Sequence, residues 1–293
     1  MTAVKDSATT KFLDHGPLAR SGRTALFAIV RTLVAAHLAG ILARPVAAQV
    51  DALAFDSSRV PVGRVFHYAK ANRDGTHATH ISVYVVAVDR LESFKWDDGA
   101  REATLVGAQM DWSRFSVRRF DAWHLARGAA PVATATLEQD SSGRGVRVSF
   151  LHDSIVPVSR WPWHSYDFDF ASLGFVIPHL RAPEAPFTFT RADVTWRGDT
   201  LGFADLGDVV VRYVGREHRG ARTVRHYTIG GPGLRNTSGD LWVDARDAFI
   251  VEYDLPIPDE PGLRDVRLRL ERTETMTPAQ WEAYKRQRLG EAN

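Results

Sequence analysis

Apolar and polar residues alternate one by one over much of the chain. "GVRVSFLHD" sets Val146, Val148 and Phe150 against Arg147 and Ser149, and "DVRLRLERT" sets Val266, Leu268 and Leu270 against Arg267, Arg269 and Glu271. Successive side chains of a strand point to opposite faces, so such runs predict strands with one buried and one wet face. Clean alternation favours antiparallel pairing, because parallel strands are covered on both sides. Turn residues fall between the runs: "NRDG" from Asn72 to Gly75, "DDG" from Asp97 to Gly99 and "SSGRG" from Ser141 to Gly145. Asp and Asn tolerate left-handed backbone and Gly adopts it without steric cost, so these segments read as hairpin connections. The pattern predicts about ten strands.

Helical signals are scarce. Near the end, "TPAQWEAYKRQRLGEA" offers Thr277 as N-cap, Pro278 at the first helical position and Gln280 completing a Thr-x-x-Gln capping box. A C-terminal helix over 278–289 is expected, stopped by Gly290. A second, short helix is expected between Asp167 and Leu180, curtailed by Pro178. "GGPGLRN", from Gly230 to Asn236, leads into a strand and not a helix, so it reads as a wide β-turn and not a phosphate loop.

The first 48 residues differ from this pattern. Basic residues flank an apolar run of roughly a dozen, Thr32 to Ala43, which is short of the ~20 needed to span a bilayer. Val46 and Ala48 occupy the small-residue positions of a cleavage site, so 1–48 reads as a signal peptide and 49–293 as a single β-rich domain starting at Gln49. That places the protein outside the cytoplasm, in the periplasm, with an uncleaved inner-membrane anchor as the alternative. Segment 1–48 carries six basic and two acidic residues, and the remainder 31 basic and 33 acidic. The basic excess therefore belongs to the segment expected to be removed, and nothing points to a nucleic-acid partner. The chain has no cysteine, which excludes disulfides, thiolate metal sites and cysteine nucleophiles.

Chemistry concentrates in "SRWPWHSYDFDF", Ser159 to Phe170. Trp161, Trp163, Tyr166, Phe168, Phe170 and the nearby Phe175 bring large apolar area and read as the wall or plug of a ligand cavity. His164, Asp167 and Asp169 are the candidate acid–base groups, since paired carboxylates beside a histidine suit proton transfer. On a strand, the aspartates would share one face with the two tryptophans while His164 lay on the other. No zinc motif is present: His77 and His80 of "HATH" would point to opposite faces of a strand. No Gly-x-Ser-x-Gly nucleophile turn occurs. No metal and no cofactor is expected.

"YDFDFASLGFVIPHL", then "LGDVVVRYVGREHRGARTVRHYTIGGPG" and "GDLWVDARDAFIVEYDLP" with Trp242, Asp244 and Val251, resemble the plug and successive strands of the LolA/LolB-like group of bacterial envelope proteins. The resemblance spans about Tyr166 to Glu271 and is one of pattern. It implies a sheet wrapped around an apolar cavity able to take acyl chains. The lipid-attachment cysteine of the LolB branch is absent. The expected fold is thus mainly β: a single strongly curved antiparallel sheet or half-open barrel, with a short helical plug and a C-terminal helix. The expected function is non-catalytic binding of a lipid-like, apolar or amphipathic molecule in a sheet-lined cavity. Two alternatives stay open: a hydrolase or isomerase acting on a lipid or glycan through His164, Asp167 and Asp169, and a scaffold with an envelope protein partner.

Overall fold

The computed structural model describes residues 51–99, 101–151, 154–197, 200–257 and 262–291. These lie within the unit Ala43–Asn293; the signal-like segment 1–48 falls outside the described residues. The first arm of the fold is a run of hairpins: β1 (Arg64–Asn72), β2 (Thr79–Ala87), β3 (Arg90–Trp96), β4 (Glu102–Asp111), β5 (Ser116–Ala126), β6 (Val132–Gln139), β7 (Gly145–Val148) and β8 (Ser154–Pro157). A crossing segment carries β9 (Trp163–His164) and helix α1 (Ala171–Val176). The second arm is β10 (Phe187–Arg197), β11 (Thr200–Arg219), β12 (Arg222–Gly230), β13 (Ser238–Asp244), β14 (Ile250–Pro256) and β15 (Asp265–Thr275), followed by helix α2 (Pro278–Arg288).

Among the described residues, all strands join one sheet in the order β8-β7-β6-β5-β4-β3-β2-β1-β15-β14-β13-β12-β11-β10-β9. Because β1 pairs with β15, the two arms grow outwards from the middle. They then turn back on each other: β8 touches β11, and β9 touches β5. Ser116 on β5 accepts from the backbone N–H of Trp163 (3.0 Å) and donates to its carbonyl (2.8 Å). The sheet is open yet curled around its contents.

Two expectations need correction. Among the described residues fifteen strands replace the expected ten or so, and the sheet is mixed, since β9 pairs with β10 in parallel. The undercount has physical causes. β2 and β3 are joined through Val88 and Asp89 with no glycine to mark the turn, while β8 and β9 are four and two residues long, too short for a period to show. "GGPGLRN" does form a turn, with Pro232–Leu234 in a 3-10 conformation between β12 and β13.

Alternation sorts the apolar residues into two cores. The inner face gathers Phe66, Tyr68, Ile81, Val83, Val85, Tyr227, Leu241 and Tyr253 with the crossing segment. The outer face of β1 to β5 gathers Val65, Tyr84, Phe94, Trp96 and Leu125 under Trp281 and Tyr284 of α2. Trp281 donates to Glu92 (2.7 Å), so the indole buries its rings without leaving its N–H unpaired. At the start of α2, Thr277 accepts from the Gln280 N–H while the Gln280 side chain accepts from the Thr277 N–H. Thr277→Ala is expected to lower stability by roughly 1 kcal/mol in urea titrations, the usual value of a lost N-cap.

Candidate functional site

The crossing segment is held in place by buried charge. Arg191 and Asp193 on β10 are fully buried, with Arg191 Nε 2.7 Å from Asp193 Oδ2. Asp193 also accepts from the Ser165 hydroxyl (2.5 Å), the Tyr166 N–H (3.0 Å) and the Asp167 N–H (3.0 Å). One carboxylate thus fixes three successive residues of the loop that follows β9. Two residues on, Asp169 sits between Lys70 Nζ (2.6 Å) and Lys95 Nζ (2.7 Å) with its side chain 2% exposed. Burial works to raise the Asp169 pKa, but the two ammonium groups outweigh it and hold the carboxyl below its usual range. Asp169 and Phe170 have φ of 52° and 53°. Aspartate tolerates that left-handed turn; for the bulky Phe170 it is strained, and the salt bridges next to it hold the turn.

α1 begins directly after this turn, runs for six residues and tightens into a 3-10 turn at Ile177–His179, since Pro178 has no N–H to extend the helix. Its far end is strapped by the chain ahead of β1. The Ala54 N–H donates to the His179 carbonyl (2.8 Å), the Arg181 N–H to the Ala52 carbonyl (2.9 Å), and Arg59 Nη1 to the Pro178 carbonyl (2.7 Å).

A cavity of about 570 Å³ lies between this plug and the inner face of the sheet, within the range of roughly 300–1,000 Å³ usual for small-molecule sites. The sheet contributes Phe66, Tyr68, Ile81, Val83, Val85, Leu91 and Leu268, and the plug contributes Ala171, Gly174, Phe175, Ile177 and Leu180. Phe249 and Ile250 line it from the β13–β14 side. The polar and charged lining consists of Ser58, five arginines, Asp169 and Asp247.

Of the aromatics singled out in the sequence, Phe175 faces the cavity. Trp161, Trp163, Tyr166, Phe168 and Phe170 are buried behind it: Phe168 and Trp163 pack on Phe120, Tyr166 on Phe170 and Tyr253. Of the candidate acid–base groups, Asp169 reaches the lining but is neutralised by its lysines. Asp167 is exposed. His164 is fully buried, and its Nδ1 lies 3.0 Å from the Ser172 hydroxyl; burial pulls its pKa down to about 3. The three are not brought together as a proton-transfer set. Only Trp163 and His164 of this stretch are strand, so the face assignment that a strand would give does not apply to Asp167 and Asp169. His77 lies in a turn and His80 on β2, stacked on Trp96 and paired with Asp98. Among the described residues no group of three His, Asp or Glu side chains is placed to hold a metal, and no helix is long and apolar enough to cross a membrane.

Sequence reading missed Arg191 and Asp193. A signal was present: in "FTFTRAD", period two puts Phe187, Phe189, Arg191 and Asp193 on one face, so two opposite charges continue an apolar stripe.

No family model matches the chain, and no curated protein matches it. Among solved structures, an uncharacterized conserved protein from Thermus thermophilus aligns at 10% identity over 77% of this chain and 89% of its own, with a TM-score of 0.35. A domain provisionally named for outer membrane lipoprotein sorting, from Vibrio parahaemolyticus, aligns at 7% identity over 83% and 96%, with a TM-score of 0.23. Both likenesses are distant.

Proposed function

We propose that the protein is an exported, non-catalytic binder of an apolar or amphipathic, lipid-like molecule, carried between the curled sheet and the α1 plug. The observation that carries this reading is the cavity itself: about 570 Å³ of space faced by aliphatic and aromatic side chains from β1, β2, β3, β15 and the plug. Natural cores are packed to crystal density, so an apolar space of this size is a place for a ligand. Export is part of the proposal and rests on the signal-like segment 1–48. The pattern resemblance to LolA/LolB-like proteins fits a sheet wrapped round an acyl-sized space, and lipoprotein transport in particular does not follow from it. The acid–base alternative loses support because His164 bonds to Ser172 and Asp169 is bound by two lysines.

The test is titration with N-phenyl-1-naphthylamine, a neutral dye whose emission rises in apolar surroundings, followed by displacement with lipids. Saturable binding near one dye per chain is expected. Val83→Trp, which places an indole in the cavity, is expected to weaken it by about tenfold or more while circular dichroism stays unchanged; Ala171→Leu on the plug should act in the same direction. Non-saturable dye binding, or binding that neither variant weakens, contradicts the reading.

A further inference from the structure

Arg225 has no role in the packing described so far. It lines the cavity from β12, in register opposite Val243, while Tyr227 two residues on lies opposite Leu241. Tyr227, Leu241 and Val243 all belong to the inner core, so strand alternation turns the Arg225 side chain inwards with them. Its Nε is buried without a hydrogen-bond partner, and among the described residues no carboxylate forms an ion pair with it. Guanidinium groups stay charged in proteins. A charge turned toward an apolar face is costly until an anion meets it.

The rest of the lining has the same sign. Arg59, Arg64, Arg181 and Arg246 stand around the cavity with Arg225, against two aspartates. Neither aspartate is available to Arg225: Asp169 is taken by Lys70 and Lys95, and Asp247 lies 3.5 Å from Arg64. The space is therefore lined by apolar side chains of β1 to β3 and carries an excess of positive groups around them, with Arg225 on β12 and Arg246 after β13 on one side.

We propose that the molecule bound here is an anionic amphiphile, whose carboxylate or phosphate head pairs with Arg225 while its hydrocarbon chain lies against Ile81, Val83 and Leu91. This rests on the binding function proposed above and narrows it to a ligand class. A guanidinium presents two parallel N–H donors to either head group, and the pairing gains from being shielded from water.

Competition against N-phenyl-1-naphthylamine at pH 7.5 separates head from chain. Dodecanoate and dodecyl phosphate, below their micelle concentrations, should displace the dye at concentrations lower than 1-dodecanol by about tenfold or more, the scale of a charge-assisted hydrogen bond. Arg225→Met should remove most of that preference of acid over alcohol, and Arg225→Lys should keep part of it. Equal displacement by the acid and the alcohol, with the dye bound, overturns the head-group assignment and leaves the cavity function standing. Displacement by inorganic phosphate or acetate alone also overturns it, because the site would then read an anion without a chain. Failure of the dye to bind overturns the function itself. The comparison of acid with alcohol uses the unmodified protein, so it holds whether or not Arg225→Met folds.

Discussion

Replacing Asp193 with alanine is expected to lower stability by about 3–5 kcal/mol, the cost of removing one partner from a buried ion pair. The effect is large because the loss is not one interaction. Asp193 is fully buried and accepts from Arg191, from the Ser165 hydroxyl and from the backbone of Tyr166 and Asp167. Without it the Arg191 charge stays buried without its carboxylate, and three donors of the loop ahead of α1 lose their acceptor. The paired variant Arg191→Met/Asp193→Leu should recover part of the loss, since no isolated charge remains. It should not recover all of it, because the Ser165–Asp167 donors are still unpaired. Urea titrations of the two variants beside the natural protein decide this; a loss below about 1 kcal/mol for Asp193→Ala would show that the pair does not hold the plug.

Mild acid is expected to weaken the protein before its carboxylates titrate. His67, His164 and His179 are all buried, and burial pulls their pKa values from 6.5 to about 4, 3 and 4. Their surroundings explain the neutral state. His179 Nδ1 accepts from the Asp56 N–H, and at His67 burial and the Arg272 charge outweigh the opposing pull of the Glu274 carboxylate. All three shifts are downward, so below pH 6.5 the unfolded chain takes up protons that the native state refuses, and stability falls with pH until the folded values near 4 and 3 are passed. Each group adds up to about 1.4 kcal/mol per pH unit in that window, so the loss at pH 5 should be on the order of several kcal/mol. Asp169, whose pKa is held low, adds its own loss only below its usual value of 3.8. Urea midpoints at pH 7.5 and 5.0 test this. His164→Gln should start less stable and show a shallower pH slope, whereas equal midpoints at the two pH values would contradict neutral buried histidines.

How far the chain could be read depends on the range of the forces involved. Strands such as β7 and β15 are visible because alternation is a local property, and α2 because its capping box is written in four residues. The mixed pairing of β9 was not legible: two residues carry no period, and their neighbour β10 is set by the return of the whole second arm. The site shows the same limit. Ile81, Val83 and Val85 are recognisable as one strand face, but no pattern tells whether that face meets atoms or space. Whether it does depends on where the plug stops, and that is set by Asp193 with Ser165 and by Asp169 with Lys70 and Lys95, contacts 28 and 99 residues apart in sequence for Ser165 and Lys70. The aromatic run from Trp161 to Phe170 announced a large buried area, which it supplies behind the cavity, with Phe175 reaching the lining.

Native mass spectrometry after incubation with a bacterial lipid extract tests the central claim most directly. One adduct of lipid mass per chain is expected, retained at gentle activation, richest in anionic lipids and sharply reduced in Val83→Trp. A bare protein mass under conditions that preserve the fold, or an adduct that Val83→Trp carries equally well, would contradict it.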